Sequence, residues 1–100
     1  MAKLSPDEIH SALQQLPEWQ LSGSAITRTF EFSDFMQAMD FVNQVARAAE
    51  EANHHPDITI NYNKVTMQLS SHDSGGVTQR DVRMAARISE IAGSRTEKAA

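Results

Sequence analysis

A two-layer α+β fold is expected from this sequence, with elements in the order α-β-β-α-β-β-α. Three observations predict it. Two helix starts of capping-box form, Ser5-Pro6-Asp7-Glu8 and Thr78-Gln79-Arg80-Asp81, each open an apolar stripe of helical period. A longer stripe of the same period runs from Phe35 to Ala49, and the segments between the stripes alternate polar and apolar residues with a period of two. Two hairpins separated by a long helix make a four-stranded antiparallel sheet covered by helices on one face.

The elements follow in order. Ser5 caps the first helix, Pro6 takes its first position and Glu8 completes the capping box, with Leu4 and Ile9 flanking as a hydrophobic staple. Ile9, Ala12, Leu13 and Leu16 form its stripe, and Pro17 stops it. Trp19 and Leu21 predict a short strand, with Ser22-Gly23-Ser24 as the turn. Ile26, Arg28, Phe30 and Phe32 then share one parity, against Thr27, Thr29 and Glu31 on the other. Ser33 or Asp34 caps the long helix, whose stripe is Phe35, Ala38, Met39, Val42, Val45, Ala46 and Ala49. That helix runs out near Ala52 or Asn53, because Pro56 disfavours a helical conformation at His55.

After Pro56 the period becomes two. Ile58, Ile60 and Tyr62 point one way, Asn63-Lys64 reads as a tight connection, and Val65, Met67 and Leu69 continue. Ser74-Gly75-Gly76 is a loop, and Val82, Ala85, Ala86, Ile88 and Ala92 form the last helix, with Gly93 as its cap. Residues 1–100 read as a single domain without repeats or linker, the polar stretch 94–100 being frayed. Its open sheet has two edges, which predicts a symmetric homo-oligomer, a dimer or a tetramer, and offers a surface to a protein partner.

Composition narrows the function. One hundred residues, 40% of them hydrophobic, bury roughly 60–70% of their unfolded surface, enough for one core. A net charge of −4 argues against non-specific nucleic-acid binding, which needs a dense Lys/Arg footprint. With no cysteine there is no thiolate nucleophile, disulfide or cysteine-based metal site. No apolar run reaches the roughly 20 residues of a membrane helix and no signal-peptide pattern opens the chain, so a cytoplasmic setting is expected.

Chemistry concentrates between residues 50 and 81. Three of the four histidines, His54, His55 and His72, fall within nineteen residues. Imidazole, with an unperturbed pKa of about 6.5, both gives and takes a proton near neutrality. Adjacent side chains project differently, so His54 and His55 have different roles. Glu50 is either a solvated charge or, four residues before His54, a partner on the same helix face. Asp81 can simply close the cap begun by Thr78, and Tyr62 can simply pack with its hydroxyl bonded. Phe35, Met36, Met39 and Phe41 read as core or interface. A three-histidine metal site is a weaker alternative, since neighbouring histidines lack the i,i+4 spacing that aims two rings at one ion. His10 lies far away and is a bystander.

Glu50, His54-His55-Pro56, Tyr62, His72 and Asp81, seven points over thirty-two residues, resemble the motif of the pterin-4a-carbinolamine dehydratase family, also known as a dimerisation cofactor of a homeodomain factor. Tyr62-Asn63-Lys64-Val65, Leu69-Ser70-Ser71-His72 and Thr78-Gln79-Arg80-Asp81 are similar to it as well. The resemblance implies a dehydratase that eliminates water from 4a-hydroxytetrahydropterin, giving quinonoid dihydropterin and recycling the pterin of aromatic amino acid hydroxylases. It implies His54 and His72 as the acid–base pair, His55 as the residue that binds and orients substrate, and no metal or organic cofactor. Glu50, Asn53 and the Ser70-Ser71 backbone would hold the pterin, with Asp81 orienting a histidine. Asn53 stands where some members carry Asp, which bears on the pterin contact there. A binding or assembly module on the same fold is the alternative.

Overall fold

Periodicity, caps and turn residues build the expected order of elements. The computed structural model describes residues 2–93, so the stretch 94–100 lies outside the described residues. The elements are α1 (Pro6–Gln14), β1 (Gln20–Ser22), β2 (Ala25–Glu31), α2 (Phe35–Ala52), β3 (Asp57–Asn61), β4 (Lys64–Leu69) and α3 (Gln79–Gly93), with a single 3-10 turn at His72–Ser74. The strands form one antiparallel sheet in the order β1-β2-β4-β3.

Register decides which face is buried. Ile26 pairs with Leu69, Arg28 with Met67 and Phe30 with Val65, while Ile58 and Ile60 of β3 oppose Met67 and Val65. Directly opposed residues share a face, so these side chains point toward the helices, with Ile60 at the sheet edge left exposed. The other face carries Thr27, Thr29, Thr59, Thr66 and Gln68, with the Thr29 and Thr66 hydroxyls 2.8 Å apart. Phe41 lies at the centre of the core, its ring 4.9 Å from those of Phe30 and Phe32. Burying each such side chain contributes about 1.5–3 kcal/mol.

Arg28 sits on the apolar parity, and the structure shows how it is accommodated. Its guanidinium lies 4.1 Å above the Phe30 ring, donates to Ser89 Oγ (3.2 Å) and meets Glu18 at 3.5 Å. The Trp19 indole N–H donates to the same Ser89 Oγ at 2.9 Å, joining the start of β1 to α3.

Several local expectations shift. α1 ends at Gln14, because Pro17 disfavours a helical conformation at Leu16, which instead closes a turn onto Leu13. Leu21 is half exposed, and Trp19, just before β1, provides the buried contact. In α2, capped by Asp34 through the Gln37 N–H (2.8 Å), the buried line is Ala38, Phe41, Val45, Ala48 and Ala49. Ala46 faces outward, as do Phe35 and Met36; with alanines on several faces, the bulk of Phe41 sets the rotation. In α3, Ala86 is exposed and Met84 and Ile91 join the core. The β3–β4 connection is Tyr62-Asn63, one residue earlier than expected. Tyr62 therefore leaves the strand parity: its φ is 54° and it is 64% exposed, so it does not pack. Among the described residues no helix is long and apolar enough to cross a membrane.

Candidate active site

The site begins with the way α2 ends. Asn53 adopts a left-handed conformation (φ 51°, ψ 43°) and its N–H reaches the Glu50 carbonyl at 3.2 Å, while the His54 N–H reaches that of Ala49 at 3.1 Å. These two bonds make a Schellman cap, and asparagine tolerates the left-handed region that most side chains avoid. Helical periodicity therefore stops at Ala52. His54 turns inward and His55 outward.

The His54 side chain is only 11% exposed, and its Nε2 lies 2.5 Å from Oδ1 of Asp81, whose side chain is fully buried. Asp81 stands in the first turn of α3, where its Oδ2 accepts the Thr78 N–H (2.8 Å) and the Ser71 hydroxyl (2.9 Å). The Ser71 and Thr78 hydroxyls are 2.9 Å apart, and Thr78 Oγ1 accepts the Arg80 N–H at 3.2 Å. Proton assignment follows from counting donors. Ser71 gives its hydrogen to Asp81, so Thr78 gives its own to Ser71. A carboxylate has no hydrogen to give, so His54 donates through Nε2–H, and the neutral ring then carries its lone pair on Nδ1. Asp81 both closes the start of α3 and sets the ring of His54.

A second pair lies at the surface. His55 Nε2 is 2.5 Å from Glu50 Oε2, with side chains 55% and 77% exposed. The i,i+4 expectation linking Glu50 to His54 is thereby corrected, since the left-handed turn at Asn53 removes His54 from the helix face. His72 opens the 3-10 turn and is exposed, its carbonyl accepting the Gly75 N–H at 3.3 Å. Its neighbour Ser71 belongs to the buried network, whereas Ser70 Oγ donates to the Ser24 carbonyl at 2.8 Å and ties the hairpins together. Asn53 serves as the helix terminator. His10, exposed on α1, lies 3.4 Å from the Gln14 amide. Among the described residues no three His, Cys, Asp or Glu side chains converge in a way that would hold a metal ion.

A cleft of about 430 Å³ opens beside His54, between the last turns of α2 and the face of α3. Ala48, Ala52 and Met84 are its apolar lining, and Glu51, Arg80, Arg83 and Arg87 its charged groups. Arg80 donates to Asp73 Oδ1 at 2.7 Å, and this hydrogen bond holds the Asp73 carboxyl below its ordinary value of 3.8. The sequence reading missed Glu51, Arg83 and Arg87. The signal for the arginines was their i, i+3, i+7 spacing on α3; for Glu51 there was none.

Fold and site together define a small α+β protein whose polar centre couples an imidazole to a buried carboxylate at a helix junction. Comparison with known proteins makes this more specific. The family model for pterin 4 alpha carbinolamine dehydratase matches residues 2–91. A Koribacter versatilis protein named as a candidate pterin-4-alpha-carbinolamine dehydratase is 58% identical over 88 residues, covering 88% of this chain and 94% of its own. A Thermomicrobium roseum protein with the same designation is 50% identical over 92 residues, covering 92% and 99%. Among solved structures, a transcriptional coactivator/pterin dehydratase from Brucella melitensis superposes with a TM-score of 0.87 at 42% identity, covering 91% of this chain and 99% of that one. A pterin dehydratase-like protein described as a RuBisCO assembly factor in the alpha-carboxysome gives 0.63 at 25% identity, covering 75% and 87%. The chain belongs to the pterin-4-alpha-carbinolamine dehydratase family.

Proposed function

We propose that this protein is a dehydratase that removes water from 4a-hydroxytetrahydropterin and returns quinonoid dihydropterin. The observation that carries the reading is the His54–Asp81 pair, in a member of this family. In the reaction the C4a–O bond breaks, the N5 proton leaves, and a C4a–N5 double bond forms. Hydroxide leaves poorly, so an acid protonates the departing oxygen while a base accepts the N5 proton; each such group typically contributes about 10²–10⁴-fold. His54, its Nε2–H committed to Asp81, has Nδ1 as the nitrogen that exchanges a proton. His72, exposed next to Ser71, is the second member of the acid–base pair. His55, backed by Glu50, binds and orients the ring, with Asn53 and the Ser70-Ser71 backbone at the pterin edge. The chemistry asks for no metal or organic cofactor, because the ring nitrogens help expel the hydroxyl.

We further propose a cytoplasmic homo-oligomer. β3 is an edge strand, and Ile60 on it is 39% exposed, which favours pairing with a second copy. That edge, together with the assembly factor among the structural neighbours, also supports a second reading as a protein-binding module. The deciding test follows dehydration of chemically prepared 4a-hydroxytetrahydropterin by absorbance. Acceleration that vanishes in the His54→Ala/His72→Ala double variant supports the dehydratase. No acceleration by the folded parent protein removes it in favour of the binding module.

A further inference from the structure

The groove between α2 and α3 holds charge that the histidine chemistry does not use. In a chain of net charge −4, four of the nine Lys and Arg residues line it: Arg80, Arg83 and Arg87 from α3, and Arg47 from α2. The cleft beside His54 adjoins a second of about 520 Å³, and the two share Ala48, Glu51 and Arg87. Both fall within the roughly 300–1,000 Å³ of small-molecule sites.

Helix geometry sets what these arginines can hold. Arg83 and Arg87 are one turn apart, which puts their Cβ atoms about 5–6 Å from each other, so one tetrahedral oxyanion can accept from both guanidinium groups. Arg80 stands a turn nearer the His54 end, about 10 Å along the axis from Arg87. The positions three and four residues from Arg83 are Gln79, Arg80, Ala86 and Arg87, so its own helix supplies like charge and no carboxylate. Arg87 meets Glu90 only at 3.5 Å in an exposed pair. Arg80 Nη2 is taken by Asp73, yet its Nε is buried without a partner among the described residues. A solvated helix face would balance its signs; this one sets three arginines against one carboxylate, Glu90, beside an apolar floor of Ala48, Ala52 and Met84.

We propose that this groove receives a phosphate group carried on the side chain of the pterin substrate. The ring stays beside His54, its side chain crosses the apolar floor, and the phosphate lies between Arg83 and Arg87. The proposal rests on the dehydratase reading and narrows its substrate class to pterins phosphorylated on the side chain.

The test is a fluorescence titration of the full chain with neopterin and with neopterin monophosphate, at low and high ionic strength, with inorganic phosphate as competitor. The phosphorylated ligand should bind at least about tenfold more tightly. That preference should shrink with salt, as screening requires, and fall to within about twofold in the Arg83→Ala/Arg87→Ala variant. Inorganic phosphate should displace the phosphorylated ligand. Equal affinity for the two pterins, or a preference untouched by the double substitution, overturns the phosphate site while leaving the dehydratase reading intact. Binding of inorganic phosphate with no affinity for either pterin overturns the proposed ligand, and the dehydration assay decides the dehydratase reading separately.

Discussion

Replacing Asp81 with asparagine exchanges one acceptor oxygen for a donor at a fully buried position. The carboxylate now serves three donors: His54 Nε2 at 2.5 Å, the Thr78 N–H at 2.8 Å and the Ser71 hydroxyl at 2.9 Å. If the asparagine oxygen keeps Thr78 and Ser71, its NH₂ faces His54 and forces the lone pair onto Nε2. If it turns the other way, the NH₂ meets two donors that then lose their acceptor. A buried polar group left unpaired costs about 1–3 kcal/mol, so the substitution should cost about 2–4 kcal/mol. For a domain of this size, each kcal/mol moves the melting midpoint by about 4–8 °C, giving a fall of about 8–32 °C. The assay is thermal and urea unfolding together with ¹⁵N NMR of the imidazoles, where the parent should show His54 protonated on Nε2. Turnover in the dehydration assay should fall by about 10²-fold or more, because the proton-exchanging nitrogen has changed. A variant that melts within about 2 °C of the parent and keeps the Nε2–H tautomer would refute the network.

Three further outcomes follow from the geometry. Asn53→Gly should stay within about 0.5 kcal/mol of the parent in urea unfolding, whereas Asn53→Val should lose about 1–2 kcal/mol, since φ is 51° there; equal stability of the two would deny the left-handed strain. Phe41→Ala should cost about 3–5 kcal/mol by urea unfolding, because it empties the space between Phe30 and Phe32; a loss below about 1 kcal/mol would mean the ring is not central. The last concerns acid. Arg80 lowers the folded-state value of Asp73 below 3.8, so this pair's contribution is present above 3.8 and is lost as pH falls through the folded value. Melting temperature against pH should therefore decline less steeply at the acid end for Asp73→Asn than for the parent, and parallel curves would deny the pair any role.

Local rules carried the reading where the interacting groups are close in sequence. The capping box from Ser5 to Glu8 spans only four residues, and it forms with both bonds, 3.1 and 2.8 Å. The alternation of Ile26, Arg28 and Phe30, and of Val65, Met67 and Leu69, named the inner face because a strand's period is a backbone property. Where several faces of a helix offer small residues, as with Ala46 and Ala48, periodicity alone could not choose, and packing around Phe41 did. The i,i+4 rule placed Glu50 beside His54, but the rule holds only while the helix lasts, and Asn53 ends it first.

The sequence by itself determined the order of elements, the buried parity of the strands, the break before Pro56 and the family motif. Each depends on dihedral preferences and contacts within about four residues, or on a pattern visible along the chain. Only the tertiary structure decided that Asp81 reaches His54 across 27 positions, that Glu50 serves His55, and that arginines of α3 share a groove with Arg47 and Glu51 of α2. Those meetings depend on how two helices settle against each other and on one left-handed residue at the end of α2. They are set by side-chain volume and by the need of buried polar groups for partners, which no local pattern records.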